Sequence, residues 1–270
     1  MSRVADVWAN HWPAGFFAAY PPMGELYHRL GLHDRVDLAW ETTIERARDR
    51  GVERMVVSAT AFPGSPVDNA AIARLVRRHP DMLVGCASVD PRRPMAAVRE
   101  LRRAVEYDGL RALKLLPFIY GMAPDTACYY PLYAACVDLQ IPALVLTGHT
   151  AVLASNEVGR PGHLDQVALD FPDLTIVAGH AGHPWTEELV ALAWKHERLY
   201  IDTSGHRPRY FPAPLIQFLN SYGSRKVIFG TGYPLMEPGD ALDDLDHLDL
   251  RPESAERFLW SNAAKIWSWT

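Results

Sequence analysis

The sequence predicts a single (β/α)8 TIM-type barrel over residues 1–270, on three observations. Eight short apolar, mostly β-branched runs recur along the chain, each followed by a stretch of helical spacing. No linker, composition break or low-complexity tract interrupts the alternation. A length of 270 residues suits one α/β barrel.

The strand runs are Val4–Trp8, Arg54–Ala59, Leu83–Val89, Ala112–Leu116, Ala143–Thr147, Thr175–Gly179, Leu199–Thr203 and Lys226–Thr231. Several are apolar at nearly every position, as strands covered on both faces must be. The helical stretches include Thr42–Arg50, Pro66–His79, Pro94–Glu106, Leu132–Leu139 and Trp185–His196, and Glu253–Trp267 closes the chain. Pro66 and Pro94 stand where helices start well. Short connections between eight such units predict a closed barrel rather than an open sheet.

Composition bounds the function. An apolar fraction of 49% with 22% charged residues is that of a soluble globular protein. The formal net charge of −5 is mild, which argues against a broad nucleic-acid or anionic-membrane surface. Cys86, Cys128 and Cys136 are too few and too irregularly spaced for a disulfide framework or a zinc cluster, and read as reduced apolar residues. The first residues, MSRVADVWAN, lack the apolar run of a signal peptide, and no stretch approaches the ~20 apolar residues of a membrane span, so a cytoplasmic location is expected.

Barrel active sites sit on the loops after the strands. Three of those loops are aromatic: His11–Trp40 with Trp12, Phe16, Phe17, Tyr20 and Tyr27; the segment after strand four with Phe118, Tyr120, Met122, Tyr129 and Tyr130; and His206–Pro214 with Tyr210 and Phe211. They predict either a water-poor pocket for an apolar or aromatic substrate, or loop packing and a subunit contact such as a homodimer.

The stretch Pro161–Trp185, PGHLDQVALDFPDLTIVAGHAGHPW, resembles the sixth-strand region of the amidohydrolase-related family, the branch that includes aminocarboxymuconate-semialdehyde decarboxylase. Ala193–Gly205 (AWKHERLYIDTSG), Lys226–Pro234 (KVIFGTGYP), Ser261–Trp267 (SNAAKIW) and Leu132–Gly148 (LYAACVDLQIPALVLTG) are similar to other segments of that family, in the same order. The resemblance covers essentially the whole chain. It implies a divalent metal at the carboxyl end of the barrel, held by a strand-one His-x-His pair, a fifth-strand histidine and a strand-eight aspartate, with a sixth-strand histidine beside the reacting water. Here those ligand positions carry Trp8, Asn10, Leu146 and Gly232, and only His180 matches. An indole, an aliphatic chain and a glycine cannot bind Zn²⁺, and a lone Asn10 is a poor ligand. No metal and no cofactor are therefore expected.

His180, at the end of strand six, reads as a general acid or base, or as a histidine retained for packing. Lys114, inside the apolar run Ala112–Leu116, is expected to clamp a substrate carboxylate or oxyanion, less readily to act as a Schiff-base amine, or to pair with Asp6 or Asp202. Asp202 is expected to orient His180, or to hold strand ends together; Ser204 lacks a nucleophile-elbow signature. Asn10 is expected to donate to a substrate oxygen, and Trp8 and Leu146 to fill the volume of the missing ion. Thr147, Tyr120, Tyr233, Trp12, His11, His183 and His206 are further candidates to line the substrate pocket. His11, His149, His183 and His206 also admit a relocated metal site, although no pair has a familiar ligand spacing. The run Asp240–Asp249 reads as a solvated acidic loop.

Without a metal to generate hydroxide, proton-transfer chemistry gains weight over water attack. The expected function is a metal-independent enzyme that acts by acid–base chemistry on a small apolar or aromatic carbonyl or carboxylate compound. That covers hydrolysis, decarboxylation, cyclisation and isomerisation. Two alternatives remain at this point: a non-catalytic barrel that binds a ligand or a metal-bearing paralogue, and a hydrolase with a relocated metal.

Overall fold

Parallel strands with short helical returns can bury both faces of their sheet only by closing on themselves. The computed structural model describes residues 3–270. Its strands are β1 (Val4–Asn10), β2 (Val52–Ser58), β3 (Leu83–Cys86), β4 (Leu113–Leu115), β5 (Ala143–Leu146), β6 (Ile176–Gly179), β7 (Leu199–Asp202) and β8 (Val227–Ile228). They form two parallel arcs, β1 to β3 and β4 to β8, in sequence order. Bridges join the arcs at both seams, Ala87 with Leu113 and Ala9 with Tyr233. Backbone bonds reinforce the seams: Lys114 N to Ala87 O at 2.7 Å, Val7 N to Phe229 O at 3.1 Å and Gly232 N to Trp8 O at 2.8 Å. The fold is a (β/α)8 barrel.

Strand parity divides the core. Ala5, Val7, Val56, Leu144, Val177 and Ile228 share one buried cluster, closed off by Trp260 and Trp267 of the last helix. Their neighbours Val57, Leu113, Val145, Ala178, Ile201 and Val227 pack instead with helix residues such as Ile72, Leu101, Leu132 and Leu189. Lys114 lies between Leu113 and Leu115 and is in register with Leu144, so its side chain falls on the inner face.

Several strands are shorter than their apolar runs predict, because side chains replace the ladder at the rim. Ser88 N donates to Asn69 Oδ1 at 2.9 Å, and Thr231 N donates to Asp6 Oδ1 at 3.0 Å. The helix expected from Pro66 starts at Asn69, where the Asp68 carboxylate accepts from Ala71 N at 2.7 Å and fixes the first turn. The last helix, expected as one piece, runs as Pro252–Glu256, a π turn over Arg257–Ser261, and Asn262–Trp267. The acidic run is not uniformly solvated either. Asp244 is buried between Arg207 and Arg209, whose guanidinium groups hold its carboxyl down to about 2, and the three clasp the loop after β7 to the segment after β8.

Candidate active site

The carboxyl ends of the strands surround a cavity of about 140 Å³ with mainly apolar walls. Its roof comes from the long segment after β1, folded as short helices Phe16–Ala19 and Pro21–Arg29. Trp12 stacks on Phe16 with ring centroids 4.0 Å apart, and its indole N–H donates to Tyr27 Oη at 3.0 Å. These aromatics pack on one another and line the cavity at once, together with Tyr20, Met23 and Leu26. Leu116, Phe118 and Ile119 complete the apolar wall.

The floor is polar. Lys114 is 2% exposed and donates from Nζ to Asn10 Oδ1 at 2.5 Å and to Ser58 Oγ at 2.7 Å. The arrangement follows from register, since Asn10 and Ser58 are partners across β1 and β2. Ser58 Oγ donates onward to Ala9 O at 3.1 Å. Asn10 Nδ2 is taken by Tyr233 O at 2.9 Å and Gly232 O at 3.3 Å. The Trp8 ring lies 4.9 Å from the ammonium and 5.2 Å from the His180 ring, so the two groups flank one indole. Its seat requires Gly179, where a Cβ would fall 2.6 Å from the ring. Among the described residues Lys114 bonds only the neutral oxygens of Asn10 and Ser58, and burial pushes its ammonium down to about 8 against the attraction of the more distant Asp202.

His180 leaves β6 with φ 64°, in the left-handed region, a conformation that costs about 1–3 kcal/mol for a residue with a side chain. The turn brings Nδ1 to 2.7 Å from Ser204 Oγ. Ser204 Oγ also bonds a carboxylate oxygen of Asp202, two residues back on the same side of the strand. Gly230 makes room for Asp202, because a Cβ there would collide with Oδ1. Burial pushes His180 down to about 3, with nearby His206 and Lys114 adding to the effect, and pushes Asp202 up to about 7 against the hydrogen bond from Ser204.

A hydroxyl has one hydrogen, so the row Asp202–Ser204–His180 has two neutral-imidazole states. With Asp202 ionised, Ser204 donates to it and accepts from His180 Nδ1–H, which leaves Nε2 as a base. With Asp202 protonated, the row reverses and Nε2–H is an acid. A proton taken up at Nε2 is therefore matched by one passed through Ser204 to Asp202, and no imidazolium forms near Lys114. The raised carboxyl predicts a pH signature. Its folded-state value lies above the unfolded 3.8, so its stabilising contribution is complete below about 3.8 and is lost as pH rises through about 7. Over that interval the melting temperature of Asp202→Asn should gain steadily on that of the parent protein. A constant difference would contradict a buried neutral carboxyl.

Trp8, Asn10, Leu146 and Gly232 all border the cavity, with Lys114, His180, Trp12, His149 and His206. Other sequence candidates are placed elsewhere. Asp202 reaches His180 through Ser204 rather than directly, and Asp6 bonds Thr231 and Trp8 N rather than Lys114. Because its amide hydrogens serve backbone carbonyls, Asn10 positions Lys114 instead of donating to a ligand. Tyr120 donates to Ala61 O at 2.6 Å, Thr147 to Gly179 O at 2.6 Å, and the Tyr233 hydroxyl bonds Thr43 Oγ1 at 2.6 Å. His11 Nδ1 accepts from Trp40 Nε1 at 3.0 Å, and His183 lies exposed with its ring 5.2 Å from that of His206. None of these five borders the cavity. Ser58 and Thr60 escaped the sequence reading, although Ser58 ends a strand; Ser204, discounted there as a nucleophile, instead bonds both His180 and Asp202. Thr60 faces the cavity with a buried hydroxyl that has no partner among the described residues.

A family model described as "Amidohydrolase" matches residues 32–269. The chain belongs to the amidohydrolase family. This amidohydrolase barrel is similar to the crystal structure of an uncharacterised TIM-barrel protein from Bordetella bronchiseptica, at 25% identity over 98% of this chain and 99% of the other, with a TM-score of 0.84. It is also similar to 2,6-dihydroxybenzoate decarboxylase from Rhizobium, at 18% identity, 99% coverage of both chains and a TM-score of 0.78. A dihydroxybenzoic acid decarboxylase from Polaromonas, solved with bound manganese and 2-nitroresorcinol, is 17% identical over 99% of this chain and 97% of the other, with a TM-score of 0.76. The floor of this amidohydrolase does not fit such an ion. Its groups are an indole, an aliphatic chain, an ammonium and an amide already bonded; His149, His180 and His206 border the same cavity, but no three His, Cys, Asp or Glu among the described residues gather to hold a metal. No helix among the described residues is long and apolar enough to cross a membrane.

Proposed function

We propose that this amidohydrolase barrel is a metal-independent enzyme that moves protons on a small apolar or aromatic carboxylate or carbonyl compound. The observation that carries this reading is the pairing, inside one apolar cavity, of a buried ammonium that no carboxylate contacts among the described residues and a neutral histidine backed by Ser204 and Asp202. An anionic substrate would supply the missing negative charge beside Lys114, and the unpaired Thr60 hydroxyl offers a further bond to a polar substituent. The decarboxylases with the same fold act on dihydroxybenzoates, which makes hydroxybenzoates the first substrates to test.

In such a reaction His180 Nε2–H delivers a proton to the carbon that bears the carboxylate. The carbon–carbon bond then breaks, its electron pair returns to the ring, and carbon dioxide leaves. Asp202 reprotonates the imidazole by way of Ser204, and Lys114 balances the negative charge throughout. Protein made without a histidine tag and dialysed against a chelator should contain no stoichiometric metal by elemental analysis. Its release of carbon dioxide from a hydroxybenzoate panel should be unchanged by the chelator and by added Mn²⁺ or Zn²⁺. Turnover that appears only with added metal would overturn the proposal.

A further inference from the structure

We infer that Lys114 is a covalent capture site, whose amine condenses with the aldehyde or ketone carbon of a small apolar ligand to form an imine on Nζ. The inference rests on the reading of the cavity as a catalytic site and deepens it. The positive charge assigned to Lys114 becomes bonded to the reacting carbon instead of merely facing it.

The geometry singles out one amine. The chain has four lysines, Lys114, Lys195, Lys226 and Lys265. Lys195 pairs with Asp165, and Lys265 is exposed. Burial pushes both Lys114 and Lys226 down to about 8, so basicity alone does not choose between them. Their partners do. Lys226 gives its N–H groups to three backbone carbonyls, His196 O, Glu197 O and Leu199 O, at the amino-terminal end of β7 and β8. Lys114 has only two acceptors, both neutral, and borders the cavity. Burial outweighs the attraction of the more distant Asp202, and with no carboxylate in contact Lys114 can give a proton up. The apolar walls limit the water that would hydrolyse an imine.

The step balances within the site. A proton leaves the ammonium, and the nitrogen lone pair attacks the carbonyl carbon. A C–N bond forms while the C=O pair moves to oxygen, which accepts a proton. A second nitrogen proton is transferred to that hydroxyl, the C–O bond breaks and water departs. The remaining lone pair closes the C=N bond. Two of the three ammonium protons thus leave in one water molecule, and the charge stays on nitrogen. His180 Nε2 takes and returns each proton, with Asp202 as the store behind Ser204.

The test uses the full chain, benzaldehyde and cyanoborohydride, followed by intact-mass measurement and peptide mapping. One benzyl group per chain should appear on Lys114, and saturating benzoate, which has no carbonyl able to form an imine, should protect it. No adduct, or adducts confined to Lys195, Lys226, Lys265 or the amino terminus, would overturn the inference. In that event, benzoate binding followed by tryptophan fluorescence separates the two levels. Retained binding leaves the acid–base reading standing, and lost binding removes it as well. Because the label is located in the parent protein, the result does not depend on a Lys114 variant that folds.

Discussion

Glutamine in place of His180 should lower turnover by at least two orders of magnitude in a protein that still folds. Glutamine has about the reach of histidine and can still bond Ser204, but it cannot hand on a proton. The loss should fall on kcat, because the cavity walls that bind the substrate are untouched. Ser204→Ala separates a relay from a lone histidine. It keeps the imidazole and severs its link to Asp202, so His180 could accept a proton only by becoming a cation. Burial already holds that cation form down to about 3. The alanine variant should therefore lose much of the same rate and shift its pH profile, whereas a merely structural Ser204 would leave the profile in place. Unchanged turnover in His180→Gln would retire the histidine as the proton carrier.

Methionine in place of Lys114 should separate activity from stability. Removal of the charge that faces the substrate is expected to cost about two to three orders of magnitude in turnover, comparable to loss of an oxyanion donor. The fold should be as stable as the parent or more so at neutral pH, because the substitution removes a buried ammonium and keeps most of its volume. The sign can be checked by titration. The folded-state value of Lys114, about 8, lies below the ordinary lysine value of 10.5, so its stabilising contribution is present above 10.5 and lost as pH falls through about 8. The advantage of Lys114→Met in melting temperature should thus be largest below about pH 8 and shrink toward pH 10.5. An active variant, or one equally destabilised at every pH, would contradict the assignment.

Much of this site was legible in the sequence because it depends on strand parity. Lys114 between two leucines, and His180 at the end of an apolar run, had to point into the mouth of a barrel once eight strands were recognised. Trp8, Asn10, Leu146 and Gly232 border the cavity for the same reason. The rest depended on features that leave no periodic trace. The bond from His180 to Ser204 follows from a left-handed turn that no residue type at that position announces. The reversed role of Asn10 depends on two carbonyls from a segment more than two hundred residues away. Aromatic content marked the rim loops without fixing which rings turn inward, so Phe118 borders the cavity while Tyr120 bonds Ala61 O and Tyr210 stands 73% exposed. Asp244 looked like one acid among several because the two arginines that bury it lie in a different loop.

The ammonium on β4 has a consequence for how the protein becomes competent. A charge carried on a side chain arrives with translation, one per chain, and is in position as soon as the strands close. On the metal-independent reading proposed above, such a barrel would draw on no trace element and would not be mismetallated. It would also work with a single positive charge where an ion supplies two, which suits chemistry in which the substrate brings its own leaving group.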